Sequence, residues 1–255
     1  MSRPSRPILI LQLFEKDRPV WTVEQMTRTL RLSSSTVYRH VRDLVGAGFL
    51  DPVTGAGYAL GPAFIRYDRV IRQSDPLIQR AAPIMAALLD DTSQSCTVVL
   101  CRKFKDCVMC VHQVHGSKSR GETSYERGVA MPIFLGATSK VILAQLPVRV
   151  LKSIYLANEK TIRRVWPARD WSDFQAQVKV IRCAGYALTK SEVAKGRLGL
   201  AAPISRNGQA VASLSLVGAA NVWDKRQIDS FTRHVRSAAD QISQALARGA
   251  AIVSR

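Results

Sequence analysis

The chain has 255 residues, of which 47% are hydrophobic and 22% charged, so it can build one large or two smaller globular domains and is excluded from the disordered class. Its 37 Lys and Arg against 19 Asp and Glu give a formal charge of +18, which favours a polyanionic partner. The lack of any run of about eighteen apolar residues excludes a membrane-spanning helix, and an odd number of cysteines favours reduced thiols, so we expect a cytoplasmic protein.

Three short helices are predicted at the start of the chain. Residues 8–16 contain no Gly or Pro and are apolar from 8 to 14 apart from Gln12, which predicts a first helix there. Thr22 with Gln25 has the spacing of a capping box before a second helix. A tight connection at residues 31–33 leads into a third helix, which ends at the glycines that follow its apolar stripe (Val37, Val41, Leu44 and Val45). Two helices joined by a tight turn predict a helix-turn-helix.

The outer face of the third helix carries groups that can read DNA. We predict DNA contacts from Ser34, Ser35, Thr36, Tyr38, Arg39, His40 and Arg42. Arg can form a bidentate contact with guanine, and Ser and Thr can bond to base edges or phosphates. An ordinary solvated face is the other interpretation of the same composition.

A wing is predicted directly after this helix, because residues 49–60 have the pattern of a strand, a glycine-rich turn and a strand. The segment 32–44, followed by 48–50 and 58–62, resembles the DNA-binding domain of the IclR family of bacterial regulators. We therefore expect a winged helix-turn-helix over residues 1–62 and double-stranded DNA as its partner.

An amphipathic linker helix is predicted over residues 63–74, with Phe64, Tyr67 and Ile71 on one face. In the IclR family the matching helix takes part in dimerisation, so the resemblance implies a homodimer or homotetramer on a partly palindromic operator. Packing of this face within its own subunit is the alternative.

Strands and helices alternate through residues 75–255. We predict strands at 96–101, 107–114, 185–189, 198–204 and 209–217, and helices at 136–146, 148–155, 172–183 and 224–247. Asn207-Gly208 is a strong hairpin turn. The fold class is therefore α/β (α+β) with an antiparallel sheet.

This second region resembles the GAF-like effector-binding domain of IclR regulators through residues 128–132, 136–144, 185–187 and 201–204. The resemblance implies a small-molecule effector, held by Gly136, Ala137, Thr189, Leu198, Gly199, Ser215 and Val217. No cofactor is implied.

The predicted pocket departs from the family at two positions. Thr189 stands where an acidic residue is common, and Gly199 replaces a frequent cysteine. We therefore expect a roomier pocket without a carboxylate, which favours an organic acid with an apolar or aromatic body. Its carboxylate is expected on the backbone N–H groups of Gly136 and Ala137 and on the Ser215 hydroxyl.

Cys107, Cys110, His112 and His115 form the strongest rival motif, because four zinc ligand types occur within nine residues. Period-two alternation places Cys110 and His112 on one strand face and Cys107 on the other, which argues against tetrahedral closure. We therefore expect buried thiols rather than a metal site, and leave metal binding open.

The motifs of an enzyme are missing. The segment 136–140 lacks the spacing of a P-loop, and the chain has no G-x-S-x-G or H-E-x-x-H sequence. We expect an effector-controlled DNA-binding regulator that is not an enzyme. The alternative is a small-molecule-binding or zinc-binding module whose helix-turn-helix makes only protein contacts.

Overall fold

The computed structural model describes residues 4–119, 125–221 and 223–252. The chain divides into two compact units, Met1–Ser74 and Asp75–Arg255. The helix predicted as a linker at residues 63–74 falls in the first unit, and each unit has its own hydrophobic core.

Over residues 4–74, the first unit has a small three-stranded antiparallel sheet and four helices, and its elements are α1 (Arg6–Leu11), β1 (Trp21–Thr22), α2 (Val23–Leu30), α3 (Ser34–Gly46), β2 (Leu50–Val53), β3 (Gly57–Leu60) and α4 (Ala63–Ser74). The sheet order is β1-β3-β2. The first helix starts and ends earlier than the predicted range of residues 8–16. It begins at Arg6, because Pro7 suits a first helical turn, and ends at Leu11. Strand β1 was not predicted, because two residues show no alternation.

The predicted helix-turn-helix is confirmed in its local chemistry. The Gln25 N–H donates to Thr22 Oγ1 at 3.2 Å, and the Thr22 N–H donates to Gln25 Oε1 at 3.1 Å, which completes the capping box of α2. Arg31 takes a left-handed conformation (φ 54°) at the end of α2 and turns the chain toward α3. Burial of Met26, Val37 and Val41 then packs the two helices together.

The apolar face of α4 packs only in part against its own unit. Tyr67 stacks on Phe49 of the same unit with ring centroids 5.8 Å apart, and Phe64 packs edge-on against the same ring at 5.4 Å. Ile65 is 76% exposed, and Val70 is half exposed. The helix therefore uses one edge within its own subunit and leaves an apolar edge in solvent.

The second unit contains five helices and a six-stranded sheet among its described residues, and its elements are α5 (Pro76–Asp90), β4 (Thr97–Phe104), β5 (Cys107–His115), β6 (Ala130–Pro132), α6 (Gly136–Leu143), α7 (Val148–Val165), α8 (Trp171–Ala184), β7 (Ala187–Lys190), β8 (Arg197–Arg206), β9 (Gln209–Ala219) and α9 (Lys225–Ile252). The sheet order is β6-β5-β4-β9-β8-β7, and every pairing is antiparallel. The predicted α/β class is confirmed.

Helices cover both faces of this sheet. Side chains of α5 and α9 pack on one face around Leu100, Leu200 and Leu214, whereas α6, α7 and α8 pack on the other around Val99 and Phe174. Helix α6 is buried along its whole length, even at its polar residues. It therefore forms the floor between the sheet and the outer helices.

Helix α7 is longer than predicted. It continues from Val148 to Val165 with a kink at Asn158 (φ −131°), whose side-chain amide donates to the Ile154 carbonyl at 2.9 Å. This hydrogen bond from the side chain partly compensates for the distorted backbone at the kink. In the sequence, the kink is visible only as an interruption of the apolar periodicity. Within the described ranges, no helix combines the length and apolar composition needed to cross a bilayer.

Gly61 fixes the path from the wing into α4, and this generates a prediction. A Cβ at position 61 would lie 2.3 Å from the Gly48 carbonyl oxygen, whereas a Cβ at Gly46 would meet nothing within 4 Å. We expect Gly61→Ala to lower the free energy of unfolding by about 1–3 kcal/mol through overpacking. The control Gly46→Ala, at the end of α3, is expected to be neutral or stabilising by about 0.5–1 kcal/mol. Urea unfolding of both variants measures this, and equal stabilities would contradict the proposed close approach.

Candidate functional site

The outer face of α3 presents most of the residues predicted to contact DNA. Ser34, Ser35, Arg39 and Arg42 are exposed, and Tyr38 is 60% exposed. In the described part of the chain, no hydrogen bond or ion pair holds either arginine. Both guanidinium groups are therefore available to an external partner.

Two of the predicted residues are less accessible. Ser33 caps α3 and donates from its hydroxyl to Thr36 Oγ1 at 2.8 Å, so Thr36 is engaged in the cap. His40 is half-buried, and its Nε2 is enclosed by protein without a hydrogen-bond partner among the described residues. A helical projection of the sequence gives only the direction of each side chain, so it could not distinguish these two partly buried residues from their exposed neighbours.

A cavity in the second unit collects most of the predicted effector residues. It has a volume of about 30 Å³, which is room for only about one or two water molecules, and lies between the start of α6 and the sheet. Six predicted residues line it: Gly136, Ala137, Thr189, Leu198, Gly199 and Val217. Leu198 also packs in the core under α5 and α9. Because neighbouring residues of a strand face opposite sides of the sheet, Gly199 is the β8 residue that faces the cavity most directly.

Ser215 does not line this cavity. It is fully buried, and its hydroxyl shares one hydrogen bond with Thr138 Oγ1 at 2.8 Å. Thr138 does line the cavity, so Ser215 stands directly behind the wall that it was expected to form.

Gly136 requires the residue type found there. Its φ is +76°, and a Cβ would lie 2.5 Å from the Tyr125 hydroxyl and 2.6 Å from Val193 Cγ2. Burial raises the pKa of Tyr125 to about 12, so this hydroxyl stays protonated and donates to the Leu135 carbonyl at 3.1 Å. The start of α6 is therefore held in a narrow space.

The expectation of a pocket without a carboxylate is wrong. Glu192 lines the cavity and accepts the Gly136 N–H at 3.1 Å, while Thr189 Oγ1 accepts the Ala137 N–H at 3.1 Å. Both backbone donors expected to bind an effector are thus engaged by the protein's own side chains. The comparison at position 189 alone missed the acid three residues later.

Glu192 also neutralises a buried cation. Lys140 Nζ donates to Glu192 Oε1 at 2.5 Å and lies 4.3 Å from the centre of the Trp166 ring. The Lys140 side chain is 7% exposed. Burial lowers its pKa from the ordinary value, although the Glu192 carboxylate favours the ammonium form.

Sequence reasoning missed Lys140 and Glu192 as part of the site. A usable signal was present, because Lys140 precedes the apolar run 141–144 in a segment without other charges, which is unusual for a lysine on a solvated helix. The partner is 52 residues away and could not be identified from spacing.

The cysteine and histidine motif on β5 is spread over separate contacts. Cys107 Sγ donates to the Phe104 carbonyl at 2.9 Å, Cys110 lies opposite Cys101 in the sheet, and His115 Nδ1 lies 3.1 Å from Thr97 Oγ1. Within the described ranges, no group of three or more His, Cys, Asp or Glu side chains could hold a metal ion.

Comparisons with known proteins agree over most of the chain. The profile described as "Bacterial transcriptional regulator IclR C-terminal" matches residues 70–244, and the "IclR helix-turn-helix domain" matches residues 5–53. The chain is 22% identical over 241 residues to HTH-type transcriptional regulator KipR of Bacillus subtilis, covering 94% of each. It is 24% identical over 233 residues to BhcR of Paracoccus denitrificans, covering 89% of this chain and 81% of that protein.

Solved structures show the same fold. An IclR transcriptional regulator of Alicyclobacillus acidocaldarius superposes with a TM-score of 0.77 at 16% identity, covering 95% of this chain and 99% of that one. An IclR homologue of Microbacterium hydrocarbonoxydans complexed with 4-hydroxybenzoate gives a TM-score of 0.70 at 20% identity, covering 94% and 97%. With both profiles matched in order, the chain belongs to the IclR family of bacterial transcriptional regulators, with a helix-turn-helix domain and a C-terminal effector-binding domain.

Proposed function

We propose that this protein binds an operator through the outer face of α3 and releases or rearranges on it when an organic acid enters the cavity at the start of α6. Residues 1–62 form the DNA-binding domain in this proposal, residues 63–74 the linker, and residues 75–255 the effector domain. The observation that carries it lies at the edge of the cavity, where the lining residue Glu192 accepts from the Gly136 N–H and from the ammonium of Lys140, which is buried behind the wall.

An acid with an apolar or aromatic body matches the chemistry of the remaining surface, and the cavity of about 30 Å³ must widen to admit it. Val193, Ala194 and Val217 line the cavity beside the two donors. A pocket with an apolar wall and few fixed polar groups binds a ligand by burying its body and orienting its charged end. The 4-hydroxybenzoate bound by the Microbacterium homologue has this chemistry, so we use it as the probe.

The DNA partner is proposed from charge and exposure. Arg39 and Arg42 are exposed on the helix that follows the tight turn, and basic residues exceed acidic ones along the whole chain. Phosphate contacts supply affinity that depends on salt, whereas arginine contacts to base edges supply sequence preference. Action on a chromosomal operator places the protein in the cytoplasm.

We expect Arg39→Ala to weaken operator binding by about 1–3 kcal/mol while affecting random DNA much less, because a bidentate contact to guanine is lost. Fluorescence anisotropy on the DNA upstream of its own gene and on a scrambled duplex measures both. Arg206→Ala is the control, since it removes an exposed arginine of the second unit. Equal losses on both duplexes would reassign Arg39 to a phosphate.

We expect the protein to bind DNA as a dimer or tetramer through the exposed edge of α4, because one recognition helix covers too few base pairs for genomic specificity. Ile65→Glu places a charge on that edge and should shift the population toward monomer in sedimentation velocity. Leu156→Glu, at a 64% exposed position on α7, is the matched control. A wild-type monomer that binds the operator one to one would refute the dimer.

We expect Thr189→Asp to weaken 4-hydroxybenzoate binding by more than about tenfold in calorimetry, because two like charges about 4 Å apart repel by about 4 kcal/mol at an effective dielectric constant of about 20. Thr189→Val, which removes the acceptor of the Ala137 N–H without adding charge, should change binding much less. Binding that is unchanged in the Asp variant would show that the acid does not occupy this cavity.

A further inference from the structure

A short strap connects β7 to β8 beside the cavity, and we define it as residues 191–196. It is anchored at its base, where the Ser191 N–H donates to the Arg197 carbonyl at 2.7 Å and the Gly196 N–H donates to Ser191 Oγ at 3.1 Å. Ser191 (φ 57°) and Gly196 (φ 75°) both take left-handed conformations at its ends. The strap is therefore a tight loop fixed at its two ends.

The middle of the strap is held down by Glu192. Its carboxylate accepts from Gly136 N–H and Lys140 Nζ, and the next side chain, Val193, packs on the core that includes α6. The strap covers the cavity, because Glu192, Val193 and Ala194 are among its lining residues. The wall and the cover of the cavity are thus joined through one carboxylate.

The two partners of this ion pair differ in how freely they can move. Lys140 belongs to a helix that is buried at every residue, and only 7% of its side chain is exposed. Glu192 sits on a loop, and its side chain is 21% exposed. A buried ammonium needs an anion close by, but that anion need not be Glu192.

We propose that Lys140 Nζ and Gly136 N–H form an anion subsite, that Glu192 occupies it as a tethered internal ligand, and that the carboxylate of the effector displaces it. The inference rests on the proposed function in taking the effector to be an acid. When the exchange occurs, Lys140 keeps an anionic partner, Glu192 turns toward solvent and the strap loses its central contact.

Charge selection follows from this exchange. A neutral ligand would replace Glu192 only at a high free-energy cost, since it would leave the Lys140 ammonium buried without a counter-charge or force the lysine to lose its proton. An acid can replace it, but its apparent affinity is reduced by the fraction of molecules in which Glu192 holds the subsite. Glu192 therefore determines both the class of ligand and the concentration at which it binds.

The test removes the internal carboxylate and supplies a free one. In Glu192→Ala, sodium acetate should raise the melting temperature by about 3 °C or more above sodium chloride of the same ionic strength, because acetate binds only the folded state at the vacated subsite. Wild-type protein should show no such difference. Glu159→Ala is the matched control, because it removes the carboxylate of an exposed ion pair with Arg163 and leaves no buried cation.

A second variant, Glu192→Gln, provides the same test if Glu192→Ala does not fold. Glu192→Gln keeps the volume of the side chain and an acceptor for the Gly136 N–H but lacks the charge that Lys140 needs, so acetate should stabilise it too. Adding Lys140→Met to either variant should abolish the acetate effect. An acetate effect that is equal in the wild type and in the Glu192 variants, or that survives loss of Lys140, overturns the proposal.

Failure of the proposed function gives a different pattern. Acetate would still stabilise the Glu192 variants, but neither acetate nor 4-hydroxybenzoate would alter operator binding by any variant. If instead 4-hydroxybenzoate releases the wild-type protein from the operator while acetate stabilises no Glu192 variant, the proposed function is supported. The proposal that Glu192 is an internal ligand displaced by the effector is then refuted.

Discussion

The burial of a charged lysine inside α6 constrains the second unit more than any other single feature. An ammonium that is almost entirely removed from water requires a counter-charge and a polarisable neighbour, and the Glu192 carboxylate and the Trp166 ring provide them. Trp166 is itself fixed by a hydrogen bond from Nε1 to the Phe134 carbonyl at 2.7 Å. The end of α7, the entry to α6 and the loop after β7 must therefore meet around one nitrogen atom.

The same constraint explains why the start of α6 is narrow. Gly136 passes between the Tyr125 hydroxyl and Val193 with no space for a side chain, and its N–H is directed at Glu192. Thr138 continues the wall and is backed by Ser215 from β9. The Gly136 N–H and the hydroxyls of Thr138 and Ser215 thus find partners within the protein, which is what a buried polar network requires for stability.

Local signals in the sequence predicted much of the fold and part of the site. The capping box of α2, the apolar stripe of α3 and the Asn207-Gly208 turn act within a few residues, so the elements they define were recognised. Strands β1 and β6 are two and three residues long and depend on their partners, so no pattern revealed them. The backbone positions around the cavity were reached through family resemblance, whereas the Lys140 to Glu192 pair, formed across 52 residues, depends on tertiary packing that spacing cannot show.

The position of Glu192 on a loop, rather than on a strand, has a consequence for how such proteins diverge. The loop lies between β7, an edge strand of four residues, and β8, so insertions and deletions there leave the central hydrogen-bond ladder intact. A lineage could lengthen this loop, move its acid or lose it while α6 and its lysine stay as they are. Ligand preference can then drift quickly on a core that evolves slowly, and paralogues with the same helices could respond to different metabolites.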